Sequence, residues 1–161
     1  MSKLTVYHPN AKGTGSALSV ELHPAHDEVE GSIFVKLMPQ KTVGQYENGV
    51  STLPTFDTDK AISVRLSAVE VARVLEVLRG YCESIDDGRG LFHRTATANT
   101  IVNFSHRVEP TTCYVLEISR RPNNGELVRY NIFLTMPESI MLSEALNASM
   151  VYLAFGVPSI G

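Results

Sequence analysis

The sequence predicts an α+β fold in which two groups of β-strands are each followed by one α-helix. Short segments of alternating polarity predict the strands, and two longer segments with helical apolar spacing, each opening on a capping box, predict the helices. The chain has 161 residues, 43% of them hydrophobic and 19% charged, which is typical of one domain with its own core. We expect a flexible tail over residues 1–10 and a single domain over residues 11–161.

The first half of the chain contains three predicted strands and one long loop. Ala17–Leu22, Ser32–Met38 and Ala61–Leu66 alternate or are rich in β-branched residues, and Gly, Pro or Asp bounds each of them. Gln40–Asp59 is rich in Gly, Asn, Thr and Pro without a clear period, so we expect it to be a loop. A loop of this length is usually functional or mobile.

A helix follows the third strand directly. Ser67 and Glu70 have the spacing of a capping box, in which the serine hydroxyl and the glutamate carboxylate each accept a backbone N–H. Gly80 is placed to end the helix. The apolar positions in between are Val71, Val74, Leu75 and Leu78.

The second half repeats this plan. A turn at Pro122–Gly125 joins the last two of four strands, and Thr135 and Glu138 form a second capping box before a helix that runs to about Phe155. The repeat is a duplication of architecture rather than a short sequence repeat. The four strands are predicted at Leu91–Arg94, Thr100–Val108, Cys113–Arg121 and Leu127–Leu134.

The second helix is apolar nearly all round, since its hydrophobic residues cover more than one stripe of the surface. Its own sheet can cover only one side of it. Two interpretations follow: a helix buried deeply in the core, or a helix whose second apolar side contacts another subunit.

The net charge of −3, taken alone, argues against a nucleic-acid partner, which usually requires a positive excess. The charges are nevertheless segregated. Most acids fall in predicted loops and helices, and only Glu21 and Glu117 fall in strands. The strands carry eight basic residues, namely Lys36, Lys60, Arg65, Arg94, Arg107, Arg120, Arg121 and Arg129.

The period of two along each strand separates an apolar face from a mixed one. The inward set is Ile62, Val64, Leu66, Val102, Phe104, Val108, Val128, Tyr130, Ile132 and Leu134. The outward set is Ser63, Arg65, Asn103, Ser105, Arg107, Arg129, Asn131 and Phe133. Cations with exposed aromatics suit single-stranded nucleic acid, because cations contact phosphates and aromatic rings stack on bases. The alternative is an ordinary solvated sheet face.

Several segments, in order along the chain, resemble the Whirly single-stranded-DNA-binding proteins. The similarity extends from about Ala11 to Phe155. The first motif, Ala11–Ser19, is similar to the family's Lys-Gly-Lys-Ala-Ala-Leu-Ser signature, without its second lysine. The other motifs are Gly31–Pro39, Phe56-Asp57, Ala61–Glu70 and Leu91–His93. The family's tryptophan has no counterpart, and the segment Gln40–Pro54 is longer than the family's loop.

The resemblance implies two four-stranded antiparallel β-sheets with two helices, assembled as a homotetramer through the helices. It also implies that single strands lie across the sheets with little sequence preference. The wider group includes the transcription positive-cofactor type and bacterial and phage relatives, whose members act in transcription, replication, repair or recombination.

The outward-facing residues of the strands and the resemblance to the Whirly proteins together indicate one candidate site. For each phenylalanine the alternative is core packing, which we favour for Phe92. The residues expected to contact phosphate are Lys12, Lys36, Lys41, Lys60, Arg65, Arg107 and Arg129, with Asn131 on the same outer face. The residues expected to stack on bases are Phe34, Phe56, Phe92 and Phe133.

Other functions find little support in the sequence. We expect no metal and no cofactor, because the histidines and acids at 23–28 form one loop cluster, and the Gly13-x-Gly15 pair lacks the rest of a dinucleotide motif. No nucleophile–base set is recognisable, so we expect no enzyme. Without a signal sequence or membrane span, and with two cysteines expected to be reduced, an intracellular location is expected: cytoplasm, nucleoid, or host cytoplasm for a phage protein.

The sequence therefore predicts a sequence-tolerant single-stranded DNA-binding protein. Because the net charge cannot hold duplex DNA nonspecifically, binding should depend on exposed bases. The alternatives are a single-stranded RNA-binding protein and an oligomeric scaffold or transcription cofactor whose sheets bind protein.

Overall fold

Two main antiparallel sheets, a separate two-stranded hairpin and two α-helices are the principal elements of residues 3–158, the part of the chain that the computed structural model describes. None of the helices in this part is long and apolar enough to span a membrane. The strands are β1 (Leu4–His8), β2 (Ser16–His23), β3 (Ser32–Thr42), β4 (Gln45–Glu47), β5 (Val50–Thr52), β6 (Thr55–Phe56), β7 (Ile62–Leu66), β8 (Leu91–Arg94), β9 (Ala98–Arg107), β10 (Cys113–Pro122) and β11 (Val128–Leu134). The helices are α1 (Ala68–Leu78) and α2 (Met136–Phe155), with a short 3-10 helix at Ile85–Gly88.

The predicted alternation of strands and helices is confirmed, but the first sheet has five strands instead of the expected four. The first sheet has the order β1-β2-β3, and both β6 and β7 pair with the far edge of β3. The second sheet is four-stranded, in the order β11-β10-β9-β8. The β10–β11 connection is the predicted hairpin.

The segment Gln40–Asp59 is not a plain loop. It completes β3, forms the separate β4–β5 hairpin and adds β6. Asn48 and Gly49 both have positive φ, of 52° and 76°, as a two-residue hairpin turn requires. The Asn-Gly pair was the signal in the sequence for this hairpin.

The expected flexible tail over residues 1–10 is also corrected, because Leu4–His8 forms β1 and pairs with β2. Val6 is buried in the core and Leu4 packs against it. Alternation over only five residues makes a weak pattern, and pairing with β2 fixes it in the sheet.

The inward faces of both sheets and the buried faces of both helices share one core. Phe104 is fully buried, with its ring stacked on Tyr114 at a centroid distance of 5.6 Å. It lines a small apolar cavity of about 20 Å³, to which both sheets and both helices contribute side chains. Val108, predicted to point inward, lies beyond the end of β9 and is exposed.

Both predicted capping boxes are present, and each is bonded to the other half of the chain. Ser67 and Glu70 cap α1, and Thr135 and Glu138 cap α2. His93 of β8 bonds the Glu70 carboxylate, and His8 of β1 lies 2.9 Å from Glu138 Oε2. The first strand of each half thus fixes the start of the other half's helix.

Because of these contacts, we expect the fold to lose stability at acidic pH. Burial raises the pKa of Glu70 and of Glu138, but the histidine contacts and the capping N–H donors outweigh it, so both pKa values lie below the ordinary 4.5. A lowered folded-state pKa gives stability that is present above pH 4.5 and is lost as the pH falls through the folded value. We expect the unfolding free energy, measured by denaturant titration, to decline over that window.

The variant Glu70→Gln/Glu138→Gln should show a flatter decline, because glutamine keeps the capping geometry but does not titrate. Glu76→Gln, on the exposed side of α1, is the control and should keep the wild-type profile. Equal slopes for wild type and the double variant would contradict the assignment.

Helix α2 buries one side and leaves the other uncovered within a single chain. Ser139, Leu142, Leu146 and Leu153 are buried, whereas a second set of apolar residues is exposed. The exposed set is Met136, Ile140, Met141, Val151, Tyr152 and Phe155. The interpretation that the core buries the whole helix is therefore wrong for the single chain.

Candidate nucleic-acid interface

The outer face of the second sheet carries side chains in cross-strand rows, set by the registers of β8 to β11. One row is Phe133, Val115 and Ser105; the next is Asn131, Glu117 and Asn103; the third is Arg129, Ser119, Ile101 and Phe92. A fourth row adds Arg121, Asn99 and Arg94. The period-2 prediction for these strands is confirmed, apart from Val108 and Val128, which were both predicted to point inward and are exposed.

Two aromatic rings are exposed on this face. Phe133 is 47% exposed and Phe92 is 61% exposed, which corrects our preference for Phe92 as a core residue. Phe92 takes the outer side because its neighbours Leu91 and His93 point inward. From strand spacing and rise, the two rings lie about 20 Å apart on the diagonal of the sheet.

Arginines share this outer face with the rings. Arg129 is exposed, with Nε 3.6 Å from Glu117 Oε1, and Arg107 lies exposed at the end of β9. An exposed ion pair of this length contributes little to stability, so Arg129 can exchange its partner for a phosphate. Arg120 points to the other side of the sheet, where it donates to Thr100 Oγ1 and to the Ser63 carbonyl of the first sheet.

The outer face of the first sheet is less open. Phe34 and Lys36 are half-buried, and the Phe34 ring packs on His23 at 4.4 Å between centroids. Arg65 lies beside Phe34 in register and donates to the Glu30 carbonyl. Phe34 is thus less available for stacking than Phe92 or Phe133.

A second aromatic pair lies on the first sheet. The Phe56 ring, in β6, lies 5.5 Å from the ring of Tyr7. Tyr7 is exposed, but it is absent from the predicted site because the sequence predicts a tail over residues 1–10. The alternation of Val6 and Tyr7 was the available signal.

Gln40 holds the loop that carries Lys12. Its Oε1 accepts from the N–H groups of Asn10 and Gly15 at 2.9 and 3.1 Å, and its Nε2 donates to the carbonyls of Asn10 and Thr42. Lys12 is exposed in this loop. The buried amide therefore fixes the position of Lys12, and the sequence offered no signal for it.

The remaining predicted cations lie apart from one another. Lys41 is exposed near the end of β3, next to Gln40. Lys60 lies in the seam between the sheets, where the Tyr130 hydroxyl donates to its carbonyl at 2.9 Å. The structure thus groups Phe92, Arg107, Arg129, Asn131 and Phe133 on the second sheet and places the other predicted residues on the first sheet, its loops and the seam.

No group of three or more potential metal ligands occurs in residues 3–158. His23, the first residue of the cluster at 23–28, lies 3.0 Å from the Glu21 carboxylate and packs on the Phe34 ring.

The fold resembles several solved structures. WHY1 from Arabidopsis thaliana matches with a TM-score of 0.72 at 16% identity, covering 94% of this chain and 84% of that one. The plant transcriptional regulator PBF-2 matches with a TM-score of 0.71 at 17% identity, covering 95% and 82%. MRP1/MRP2 of Trypanosoma bruciei match with a TM-score of 0.64 at 20% identity, covering 95% and 86%. No protein-family model and no curated protein sequence matches the chain.

Proposed function

We propose that this chain, which has the fold of the Whirly proteins, is a single-stranded DNA-binding protein with little overall sequence preference. The observation that carries the proposal is the second sheet's outer face, where two exposed phenylalanines and several arginines share one surface. Cations that contact phosphates and rings that stack on bases are what single-strand binding requires. The resemblance to the Whirly single-stranded-DNA-binding proteins supports the same function.

The charge distribution favours single strands over duplex. The chain has a net charge of −3, so it lacks the general positive field that holds duplex DNA nonspecifically. Stacking on Phe92 and Phe133 needs unpaired bases, which only a single strand offers. We therefore propose a role in replication, recombination, repair or transcription, at steps that expose single strands.

The test is a fluorescence-anisotropy titration of a mixed-sequence single strand over a range of salt concentrations, beside the matching duplex and RNA. We expect the logarithm of the affinity to fall linearly with the logarithm of salt concentration, with a slope of about −0.7 for each phosphate contact. An affinity that does not change with salt would contradict the proposed contacts. Tighter binding of the RNA would favour the RNA-binding alternative.

We also propose that the protein is a homotetramer assembled through its helices. The uncovered side of α2 presents Met141, Ala148 and Phe155 one heptad apart, with Val151 between the last two. On α1, Val69 is exposed as well. Exposed apolar residues that recur along one side of a helix are typical of a subunit contact.

Light scattering should give a mass of about four times the 17.7 kDa chain. Val151→Lys should lower the mass, because it places a charge in the proposed contact, where the native side chain is 57% exposed in the single chain. Val50→Lys, at a 63% exposed valine of the β4–β5 hairpin, is the matched control and should leave the mass unchanged. A monomeric wild type would contradict the assembly, and a tetramer that binds no single strand would favour the scaffold alternative.

A further inference from the structure

All strands of the second sheet lie within residues 3–158. Among their outward-facing residues, Glu117 is the one acid. It lies at the centre of the face, paired in register with Asn131 on one side and Asn103 on the other. The rows on both sides of it hold Phe133 and Phe92. The diagonal that joins these two rings passes over the Glu117–Asn103 pair.

The centre of the face therefore offers one accessible hydrogen-bond acceptor, the Glu117 carboxylate. Within residues 3–158 the Glu117 carboxylate has one ionic neighbour, Arg129, and takes part in no hydrogen bond. The Asn103 amide nitrogen already donates to the Gly88 carbonyl at 2.6 Å, and its buried Oδ1 accepts nothing from the described residues. A carboxylate oxygen can accept from a ligand here, and the asparagine oxygen beside it adds partial negative charge.

A single strand lying from Phe133 to Phe92 meets this carboxylate about half-way. A phosphate there is repelled, so the strand must turn a base toward Glu117 and keep its phosphates near the arginines. Adenine, cytosine and guanine each carry an exocyclic amino group that can donate to a carboxylate. Thymine and uracil carry a carbonyl oxygen where cytosine carries its amino group, and their one donor on this edge, N3–H, lies between two carbonyl oxygens that the carboxylate repels.

We propose that Glu117 gives this face a preference for bases that carry an exocyclic amino group over thymine and uracil. The proposal rests on the proposed function, because it requires that a single strand lie on the second sheet. The cations and aromatic rings bind any sequence, and Glu117 adds selection at one nucleotide position between the two stacked bases.

The ion pair with Arg129 determines which quantity must be measured. Removing Glu117 also frees Arg129 for phosphate, which raises the affinity for every single strand. This increase in affinity is the same for every single strand, so it cancels in the ratio of two affinities. The readout is therefore the affinity ratio of oligo(dC) to oligo(dU) at equal length, since these pyrimidines differ at the base edge that Glu117 would contact.

The experiment titrates wild type and Glu117→Ala by fluorescence anisotropy at mildly alkaline pH, where cytosine is neutral. Wild type should bind oligo(dC) about fivefold more tightly than oligo(dU), as expected for one net hydrogen bond. In Glu117→Ala the ratio should fall to near one. Glu117→Gln, which keeps the side-chain shape and one acceptor, should give a ratio between these values.

Glu21→Ala is the matched control. Glu21 is the outward acid of the first sheet, but it lies 3.6 Å from Lys3 Nζ and 3.0 Å from His23 Nε2, so these two side chains already engage it. This variant should keep the wild-type ratio. A ratio lost in Glu21→Ala, or retained in Glu117→Ala, would overturn the assignment to Glu117.

The two proposals fail in different ways. Wild type that binds neither oligomer overturns both the proposed function and the base preference. Wild type that binds both oligomers equally leaves the proposed function standing and overturns the base preference alone.

Discussion

Replacing Phe104 by Ala is expected to lower the free energy of unfolding by about 3–5 kcal/mol. The ring is 0% exposed, stacks on Tyr114, and lines the small cavity where side chains of both sheets and both helices meet. Truncation enlarges that cavity and removes the ring's contact with Tyr114. Denaturant unfolding followed by circular dichroism measures the change.

Phe92→Ala is the control for this prediction, because it makes the same substitution on the opposite face of the same sheet. Its ring is 61% exposed, so its loss should change the unfolding free energy by less than about 1 kcal/mol. Equal destabilisation by the two variants would contradict the assignment of the inner and outer faces.

Replacing Phe92 and Phe133 together by Ala is expected to weaken single-strand binding strongly. Each ring that stacks on a base contributes about 1–3 kcal/mol to binding. The two rings lie on opposite edges of the sheet and share no contact, so their effects should add. Anisotropy titration of the same mixed-sequence single strand measures the loss, with each single variant beside the double one.

Tyr46→Ala provides the comparison for this loss. Tyr46 is a highly exposed aromatic residue of the β4–β5 hairpin, which is not part of either main sheet, and its removal should leave the affinity unchanged. If the double variant binds like wild type, the second sheet's outer face is not the interface.

Capping motifs and alternation in the sequence were sufficient to predict most of the helices and strands. The serine and threonine of the two capping boxes, each followed by a glutamate three residues later, marked the helix starts, and the structure confirms both. Period-2 alternation assigned Arg129, Asn131 and Phe133 to one face and Ile132 and Leu134 to the other, as the burial of β11 confirms. These predictions succeed because capping and alternation depend only on neighbouring residues.

The predictions failed where structure depends on distant partners. Leu4–His8 is too short to show a clear period, and β2 fixes it as a strand. The segment after Gln40 is divided among β3, the β4–β5 hairpin and β6, because β3 is long enough to pair with two strands along one edge. The outward position of Phe92 follows from its register with Ile101 on β9.

By itself, then, the sequence determined the two strand–helix halves, the capped helix starts and the segregation of basic strands from acidic loops and helices. Composition, capping and alternation depend on residues close together in the chain, so they can be recognised in the sequence before the fold is known. Only the tertiary structure decided that His8 and His93 each bond the opposite half's helix, that Gln40 fixes the loop of Lys12, and that Glu117 lies midway between Phe133 and Phe92. Those relations join residues far apart in the chain, and only strand pairing and the packing of the helices and loops on the sheets bring them together.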